Sequence, residues 1–369
     1  MKKIFLKSFK TLSVCFILSL CLFTTNIQSA TQPYNQFADI QSCTNFGASF
    51  GDTVLFGNSE DGGLDHPLGQ FPTSSRMFYY GADGDEYGCA FVGWYWEEVS
   101  VSIQGGMNDQ GLCYDLTGIP NTPVNLNQNP SYVVAGNWVL KDVLRLNANV
   151  SEVIEFFETT DWGGEWWFQW LFADASGDVV IISPGTDGEL VYTRKQAGVD
   201  GFLTQTNFNR ANNKSGDYPC PRFTASTEIL SEITSEEELT VEKFNEVLDA
   251  VHFSKGGSYT GYSNVFDPVN KMLYLTYMGQ FDETVSINVT EELSDTVFNA
   301  VPMAEYFSEE TVEKGLDYYN KFKRNFIIIY RILPISAIVI VLGGIIAAIY
   351  FLVKKLRKKK ISESKNSDS

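Results

Sequence analysis

Histidine is nearly absent from this sequence, which has only two, His66 and His252. Neither belongs to an HExxH or similar metal-ligand pattern. His66 falls in a polar loop and His252 at the end of an amphipathic helix, so both read as structural. A Ser-His-Asp or Cys-His hydrolase needs a histidine as its base, and that scarcity argues against both mechanisms. No CxxC pair suggests zinc or a redox centre, and no glycine-rich phosphate loop is present. Internal repeats and low-complexity stretches are missing too. Net positive charge is also lacking: the formal charge is −18. It understates the acidity of the central part, because both ends are basic. An acidic central region excludes nucleic acid as a natural partner.

The two ends have distinct characters. Lys2, Lys3, Lys7 and Lys10 precede a short apolar core from Leu12 to Phe23, and Ser29 and Ala30 follow as small residues. This is the pattern of a secretory signal over residues 1–30, and its core is too short for a membrane span of about 20 residues. Cys15 and Cys21 do not follow small residues, which argues against lipid attachment there. Near the other end, Ile332 to Val353 is uncharged and almost wholly apolar, long enough to cross a bilayer at about 1.5 Å per residue. Lys354, Lys355, Arg357, Lys358, Lys359 and Lys360 follow at once, and such a cluster stays cytoplasmic. The expected arrangement is a single-pass type I protein of the cell membrane, its main domain extracellular or lumenal. Pro334 and Gly343-Gly344 are expected to loosen the helix without stopping it. Asn149, Asn213 and Asn288 head glycosylation tripeptides, a pattern that chance also supplies.

Between these ends lie about 290 residues, enough for one large domain or two small ones. Strand patterns dominate: Thr53 to Gly57, Arg76 to Tyr80, Tyr87 to Trp94 and Val99 to Gln104 are β-branched or aromatic runs bounded by Gly, Asp or Asn. Trp167 to Ala173, Val179 to Ser183, Glu189 to Thr193, Tyr262 to Phe266, Met272 to Tyr277 and Thr284 to Ile287 follow. Asp267-Pro268-Val269-Asn270 reads as a hairpin turn. Helices are expected over Val134 to Leu146, over Ser151 to Phe157 with Ser151 as N-cap, over Arg222 to Ile233, and after Thr240 with Val241, Phe244, Leu248 and Val251 on one face. Glu309 to Arg324 reads as a polar helical stalk. Two groups of helices among many strands predict an α+β layered fold, helices packed on sheets.

Cys43 opens the strand-rich region. If the chain were cut before it, one residue would carry a thiol and a free α-amine. An α-amine titrates near pH 8 and can act as the base for a thiol of similar pKa, which makes a nucleophile without histidine. Cys43 could equally be a buried structural thiol, or pair with Cys89, Cys113 or Cys220 in an oxidising compartment. Asn108 in Asn-Asp-Gln-Gly could be only a turn residue, and Asp61 with Arg222 an ordinary ion pair. The Trp162 to Trp170 cluster reads as core rather than as a substrate platform.

Five segments, in order, are similar to the cysteine N-terminal-nucleophile hydrolases, the group of choloylglycine hydrolase, penicillin V acylase and the acyltransferase-like linear amide hydrolases. They are Cys43-Thr-x-Phe, Leu55-Phe56-Gly57-Asn58-Ser59-Glu60-Asp61, Gly105-Gly106-Met107-Asn108-Asp109-Gln110-Gly111-Leu112, Thr206-Asn207-Phe208 and the run from Gly216 to Phe223. Tyr262 to Asp267, with the strand after it, resembles the acyltransferase-like branch. The resemblance covers about Cys43 to Val289. It implies a four-layer αββα sandwich and hydrolysis of non-peptide carbon–nitrogen bonds in linear amides, with no cofactor or metal. A small acylated amide would be the substrate, and acyl transfer to an amine is the close variant. A non-catalytic binding domain on the same fold is the alternative of a different class. Position by position, Cys43 would be the nucleophile and Asp61 would orient its thiol and amine. Asn108 would help form the oxyanion hole. Asn207 would hold the intermediate or the substrate amide. Arg222 would stabilise the site's charge and keep the thiolate accessible.

The chain departs from the family where many members carry Arg in a Gly-Arg-Asn-x-Asp run; here Asn58 and Ser59 stand. The missing guanidinium predicts a thiol pKa higher than in those relatives, or a burden shifted to Arg222, and it argues against bile-salt and penicillin V specificity. The expected organisation is thus a signal over 1–30, a propeptide over 31–42, an ectodomain over 43–300, a juxtamembrane stalk over 301–325, a membrane helix region over 326–353 and a basic tail over 354–369.

Overall fold

A computed structural model describes residues 43–63, 74–96, 100–124, 132–133, 137–160, 162–212, 216, 218, 220–252 and 258–367. The expected signal, the propeptide, His66 and Asn213 lie outside the described residues. In chain order the first half runs β1 (Thr44–Phe50), β2 (Thr53–Gly63), β3 (Ser75–Tyr80), β4 (Cys89–Trp96), β5 (Ser100–Asn108), β6 (Cys113–Val124), β7 (Tyr132–Val133), α1 (Asn137–Leu146) and α2 (Val150–Thr159). The second half runs β8 (Trp162–Ala173), β9 (Val179–Pro184), β10 (Leu190–Lys195), β11 (Gly201–Gln205), α3 (Pro221–Leu230), α4 (Val241–Val251), β12 (Ser258–Asp267), β13 (Met272–Tyr277), β14 (Gln280–Asn288), α5 (Val289–Leu293), β15 (Phe298–Pro302), α6 (Glu309–Ile327) and α7 (Leu333–Ser367).

The strands form two antiparallel sheets, one ordered β11-β1-β2-β12-β13-β14 and the other β10-β9-β8-β6-β5-β4-β3-β15. Side-chain alternation divides each strand between two apolar layers. Phe56 of β2, Met107 of β5, Leu171 of β8, Ile181 of β9 and Phe266 of β12 meet between the sheets. On the outer face of the first sheet, Phe46, Leu55 and Val265 pack against Leu230, Phe244 and Leu248 of α3 and α4. On the outer face of the second, Tyr114, Trp166 and Trp170 pack against Val143 and Leu144 of α1 and Val153 and Phe157 of α2. Helices thus cover both outer faces, as the layered α+β reading requires. The tryptophan cluster is core: Trp166 and Trp170 are fully buried, each such aromatic contributing about 2–3 kcal/mol through burial.

Local chemistry sets several boundaries. Thr240 caps α4 as expected, accepting from the Lys243 N–H at 3.1 Å. The cap of α2 is Asn149 rather than Ser151, because the Asn149 side chain reaches the Glu152 N–H at 3.0 Å and the helix starts one residue before Ser151. Asn288 caps α5 the same way, so two of the three glycosylation asparagines hold helix ends. The turn at Asp267 is closed by the Asn270 N–H donating to Asp267 Oδ1 at 2.9 Å. The four cysteines at 43, 89, 113 and 220 are all buried and unpaired, so no disulfide among them holds the sandwich.

The helix expected as a stalk is part of the domain. Val312, Leu316 and Phe322 of α6 pack against the inter-sheet cluster beside buried Tyr319. The Tyr319 ring lies 4.7 Å from that of Tyr259 on β12. A π-helical turn at Ile328–Ile332 then leads into α7. Within α7, Ile338–Arg357 is long and apolar enough to cross a membrane, with mean hydropathy 2.2 and none of it buried.

Candidate functional site

The alternation that sends Phe56 between the sheets sends Asn58 and Glu60 the same way. On β1 the outward residues are Phe46, Ala48 and Phe50, which leaves Cys43 and Asn45 facing inward at the strand's start. Thr44 pairs with Ser59 and Asn45 with Asn58, so the register sets Cys43 opposite Glu60. The Cys43 thiol donates to Glu60 Oε2 at 3.3 Å. Asn58 Nδ2 donates to Asn45 Oδ1 at 2.7 Å. Asn45 Nδ2 in turn donates at 3.3 Å to Asp115 Oδ1, on β6 of the opposite sheet. Three carboxyl groups, Glu60, Asp61 and Asp115, are therefore buried around one buried thiol.

A bulge in β12 completes this end of the sandwich. The β2–β12 register shifts between Thr260 and Tyr262, and a bulge re-aims the side chains on either side of it. Tyr259 and Tyr262 both point into the inter-sheet layer, while the Thr260 hydroxyl donates to Asp61 Oδ1. Gly261 sits at the bulge because a Cβ there would lie 2.6 Å from the Trp94 ring.

Arg222 reaches the site from the first turn of α3, where Pro221 pre-sets the helical φ at the start. Its guanidinium donates to the Cys43 carbonyl at 2.8 Å, to Thr44 Oγ1 at 3.1 Å and to Asn207 Oδ1 at 2.7 Å. Asp61 Oδ2 is 3.7 Å away, an ion pair too long for a hydrogen bond. Asn207 Nδ2 donates to the Gly118 carbonyl of β6 at 3.0 Å. Arg222 thus ties the beginning of β1 to the loop after β11, and Asn207 ties that loop to the second sheet.

Electrostatics follow from burial. Desolvation, then Glu60 and Asp61, push the Cys43 thiol well above its ordinary range, so in the uncut chain it stays protonated. This is the direction expected from the missing arginine, but burial and the carboxyl neighbours cause it. Glu60 is also raised, by burial first and then by Asp115, and Asp115 is raised by its own burial. Asp61 is pushed up to about 7, burial outweighing the opposing pull of Arg222 and the Thr260 hydroxyl.

Four of the five site residues expected from sequence, Cys43, Asp61, Asn207 and Arg222, come together here. Asn108 lies apart from them. Its Nδ2 donates to the Leu144 and Asn147 carbonyls, each at 2.8 Å, and its Oδ1 accepts from the Gln110 and Leu112 N–H groups. With both protons spent, it fastens the β5–β6 turn to the end of α1. Arg222 holds the Cys43 main chain through its carbonyl and pairs with Asp61. Asp61 takes Thr260 and Arg222 while the thiol goes to Glu60. Sequence reasoning passed over Glu60, Asp115 and Asn45. The signal for the first was available: an acid at an inward position of an alternating strand. His252 stays apart, its ring against Asp249 at the end of α4. An open cleft of about 800 Å³ lined by Phe157, Trp162, Tyr192, Asp187 and Glu189 holds none of these site residues.

No family model matches the sequence, and no curated protein does. Among solved structures, two single-residue variants of conjugated bile acid hydrolase from Clostridium perfringens share the fold, with TM-scores of 0.54 and 0.52. Each is 14% identical and covers 72% of this chain and 98% of its own. Penicillin V acylase from Agrobacterium tumefaciens matches with TM-score 0.49 and 18% identity, over 68% of this chain and 87% of its own. The mixed α+β fold with two large antiparallel sheets is shared with the two bile acid hydrolase structures.

Proposed function

We propose that this chain, built on the fold of conjugated bile acid hydrolase, is an amidohydrolase whose nucleophile is Cys43 after loss of residues 31–42. The observation that carries the reading is the seating of Cys43. Its thiol lies at the inner start of β1, and Arg222 fixes its carbonyl at 2.8 Å. Such fixing of a nucleophile is what an acyl-transfer site requires. Once the preceding peptide bond is cut, the α-amine accepts the thiol proton as sulphur attacks a linear amide. The α-ammonium then protonates the leaving amine, and water resolves the thioester. On this reading Asn207, which bonds the Gly118 carbonyl and Arg222, turns toward the substrate amide or the intermediate when substrate binds. Asp61 and Arg222 brace the start of β1. The apolar Ile338–Arg357 stretch and the lysines around it support anchoring in a membrane, with the sandwich outside and the tail in the cytoplasm.

N-terminal sequencing of the purified protein tests the first step. A chain starting at Cys43 is expected, and one that still starts at Thr31 after long incubation overturns the catalytic reading. A thiol-reactive probe compared on wild type and Cys43→Ala, followed by an acyl-amide panel, tests the rest; equal labelling excludes Cys43 as the reactive thiol.

A further inference from the structure

Glu60 is an unusual residue for its position. It is 1% exposed on the inner face of β2, where the alternation two strand turns earlier places Phe56. No ion pair to it is found among the described residues. Burying a carboxylate without a cation costs several kcal/mol, so a residue that only filled space there would be apolar. Its two oxygens are used unequally. Oε2 takes the Cys43 thiol at 3.3 Å, while buried Oε1 has no hydrogen-bond partner. Asp115 Oδ2, across the sheet gap, is also without a partner.

The proposed function leaves a gap that Glu60 fits. In turnover the base is the α-amine of Cys43, but before the chain is cut that nitrogen is an amide and accepts no proton. The step that frees the amine therefore needs another acceptor within reach of the thiol. We propose that Glu60 is a catalytic residue for maturation, the proton acceptor that lets the Cys43 thiol attack its own preceding peptide bond. This inference rests on the reading that residues before Cys43 are removed.

The step balances. In the ionised fraction of Glu60, whose burial makes it the stronger base, Oε2 takes the Cys43 S–H proton as sulphur bonds to the Ser42 carbonyl carbon. The C–N bond to Cys43 then breaks, and its nitrogen takes that proton back from Glu60. The products are a Ser42 thioester on Cys43 and a free α-amine. Water adds to the thioester carbon, the S–C bond breaks, Ser42 leaves as a carboxylic acid and the thiol is restored. Nothing is oxidised or reduced, and one water is consumed.

The test follows cleavage of the full chain, made by cell-free translation into detergent, by mass spectrometry over time. Wild type, Glu60→Gln, Glu60→Asp and Cys43→Ala are compared. Glu60→Gln is expected to slow release of the fragment ending at Ser42 by about 100-fold or more, the usual contribution of a positioned base. Glu60→Asp keeps a carboxylate and loses one methylene, so it is expected to cleave faster than Glu60→Gln. A purely structural role predicts the opposite order, because Gln preserves shape better, and that order overturns the proposal even if both variants fold poorly. A Glu60→Gln rate within about threefold of wild type overturns it too. A wild-type chain that never cleaves removes the proposed function itself, a failure separable from either of these.

Discussion

Replacing Arg222 by alanine should destabilise the fold by an amount that depends on pH in one window only. The guanidinium gives strong hydrogen bonds to the Cys43 carbonyl at 2.8 Å and to Asn207 Oδ1 at 2.7 Å. At about 1.5 kcal/mol each, their loss costs about 3 kcal/mol at any pH. The second contribution is its attraction for Asp61, 3.7 Å away, about 4 kcal/mol at an effective dielectric of about 20. Asp61 is near 3.9 unfolded and about 7 in the folded protein. Without Arg222 its folded value rises further, because the attraction that opposes burial is lost. Between about pH 4 and 7 both folded proteins hold this proton and both unfolded chains release it. Both stabilities then fall alike, and their difference stays flat. Above pH 7 the wild-type carboxyl ionises and its slope vanishes, while the variant still binds a proton on folding. The gap should widen by about 1.4 kcal/mol per pH unit, reaching about 5–6 kcal/mol at pH 9. Urea midpoints of the detergent-solubilised chains at pH 6, 7, 8 and 9 measure this directly. A gap that is constant from pH 6 to 9 refutes the coupling between Arg222 and Asp61.

The remaining expectations concern single features. Asn108→Ala should cost about 3–4 kcal/mol, since four buried hydrogen bonds at about 1 kcal/mol each disappear, with kcat/KM per folded molecule within about threefold of wild type. Intact stability with a 100-fold loss of kcat would restore its oxyanion role. Gly261→Ala drives a methyl to 2.6 Å from the Trp94 ring and should lower stability by about 1–3 kcal/mol, with a change in the near-ultraviolet dichroism of Trp94; an unchanged melting curve would count against the bulge as drawn. A chain ending at Ile327 should move from the detergent phase to the aqueous phase with its melting temperature kept. One ending at Tyr306 should melt lower, having lost Val312, Leu316 and Tyr319.

The layered fold was legible because both periodicities are written plainly. The strands at Arg76 to Tyr80 and Met272 to Tyr277 alternate or run apolar, and Val241, Phe244, Leu248 and Val251 return every three or four residues. The strand β6 was missed because Asp115, Thr117 and Gly118 interrupt its apolar run, and Asp115 and Thr117 share the inward face with Cys113. Asn108 is ambiguous for a related reason. An asparagine beside a glycine-rich strand fits a donor, a turn or a clasp, and only the carbonyls of Leu144 and Asn147, 36 and 39 residues on, decide which. Glu60 was hidden between two residues of a recognised run, and its contact with Cys43 depends on a register that no single sequence states. The polar composition of Glu309 to Arg324 suggested a free stalk, yet its few apolar residues share one face and pack on the domain.

That packing sets the kind of reach available to the protein. A flexible tether lets a domain sweep a hemisphere whose radius grows with linker length. Here the helix that leaves the sandwich is clamped to it by Tyr319 and Phe322, and a five-residue turn separates it from the apolar helix. With that apolar helix in a bilayer, the domain behaves as a part bolted to a post. Its height and heading relative to the lipid surface are then constrained, and on the proposed function Cys43 would meet substrates arriving from a restricted set of directions. Amphiphilic amides held at the lipid surface would then be sampled at high effective concentration only if the site opens toward that surface. Inserting a flexible Gly-Ser segment after Ile327 would convert the post into a leash without touching the site. Its effect would appear in KM for lipid-borne substrates and not for soluble ones.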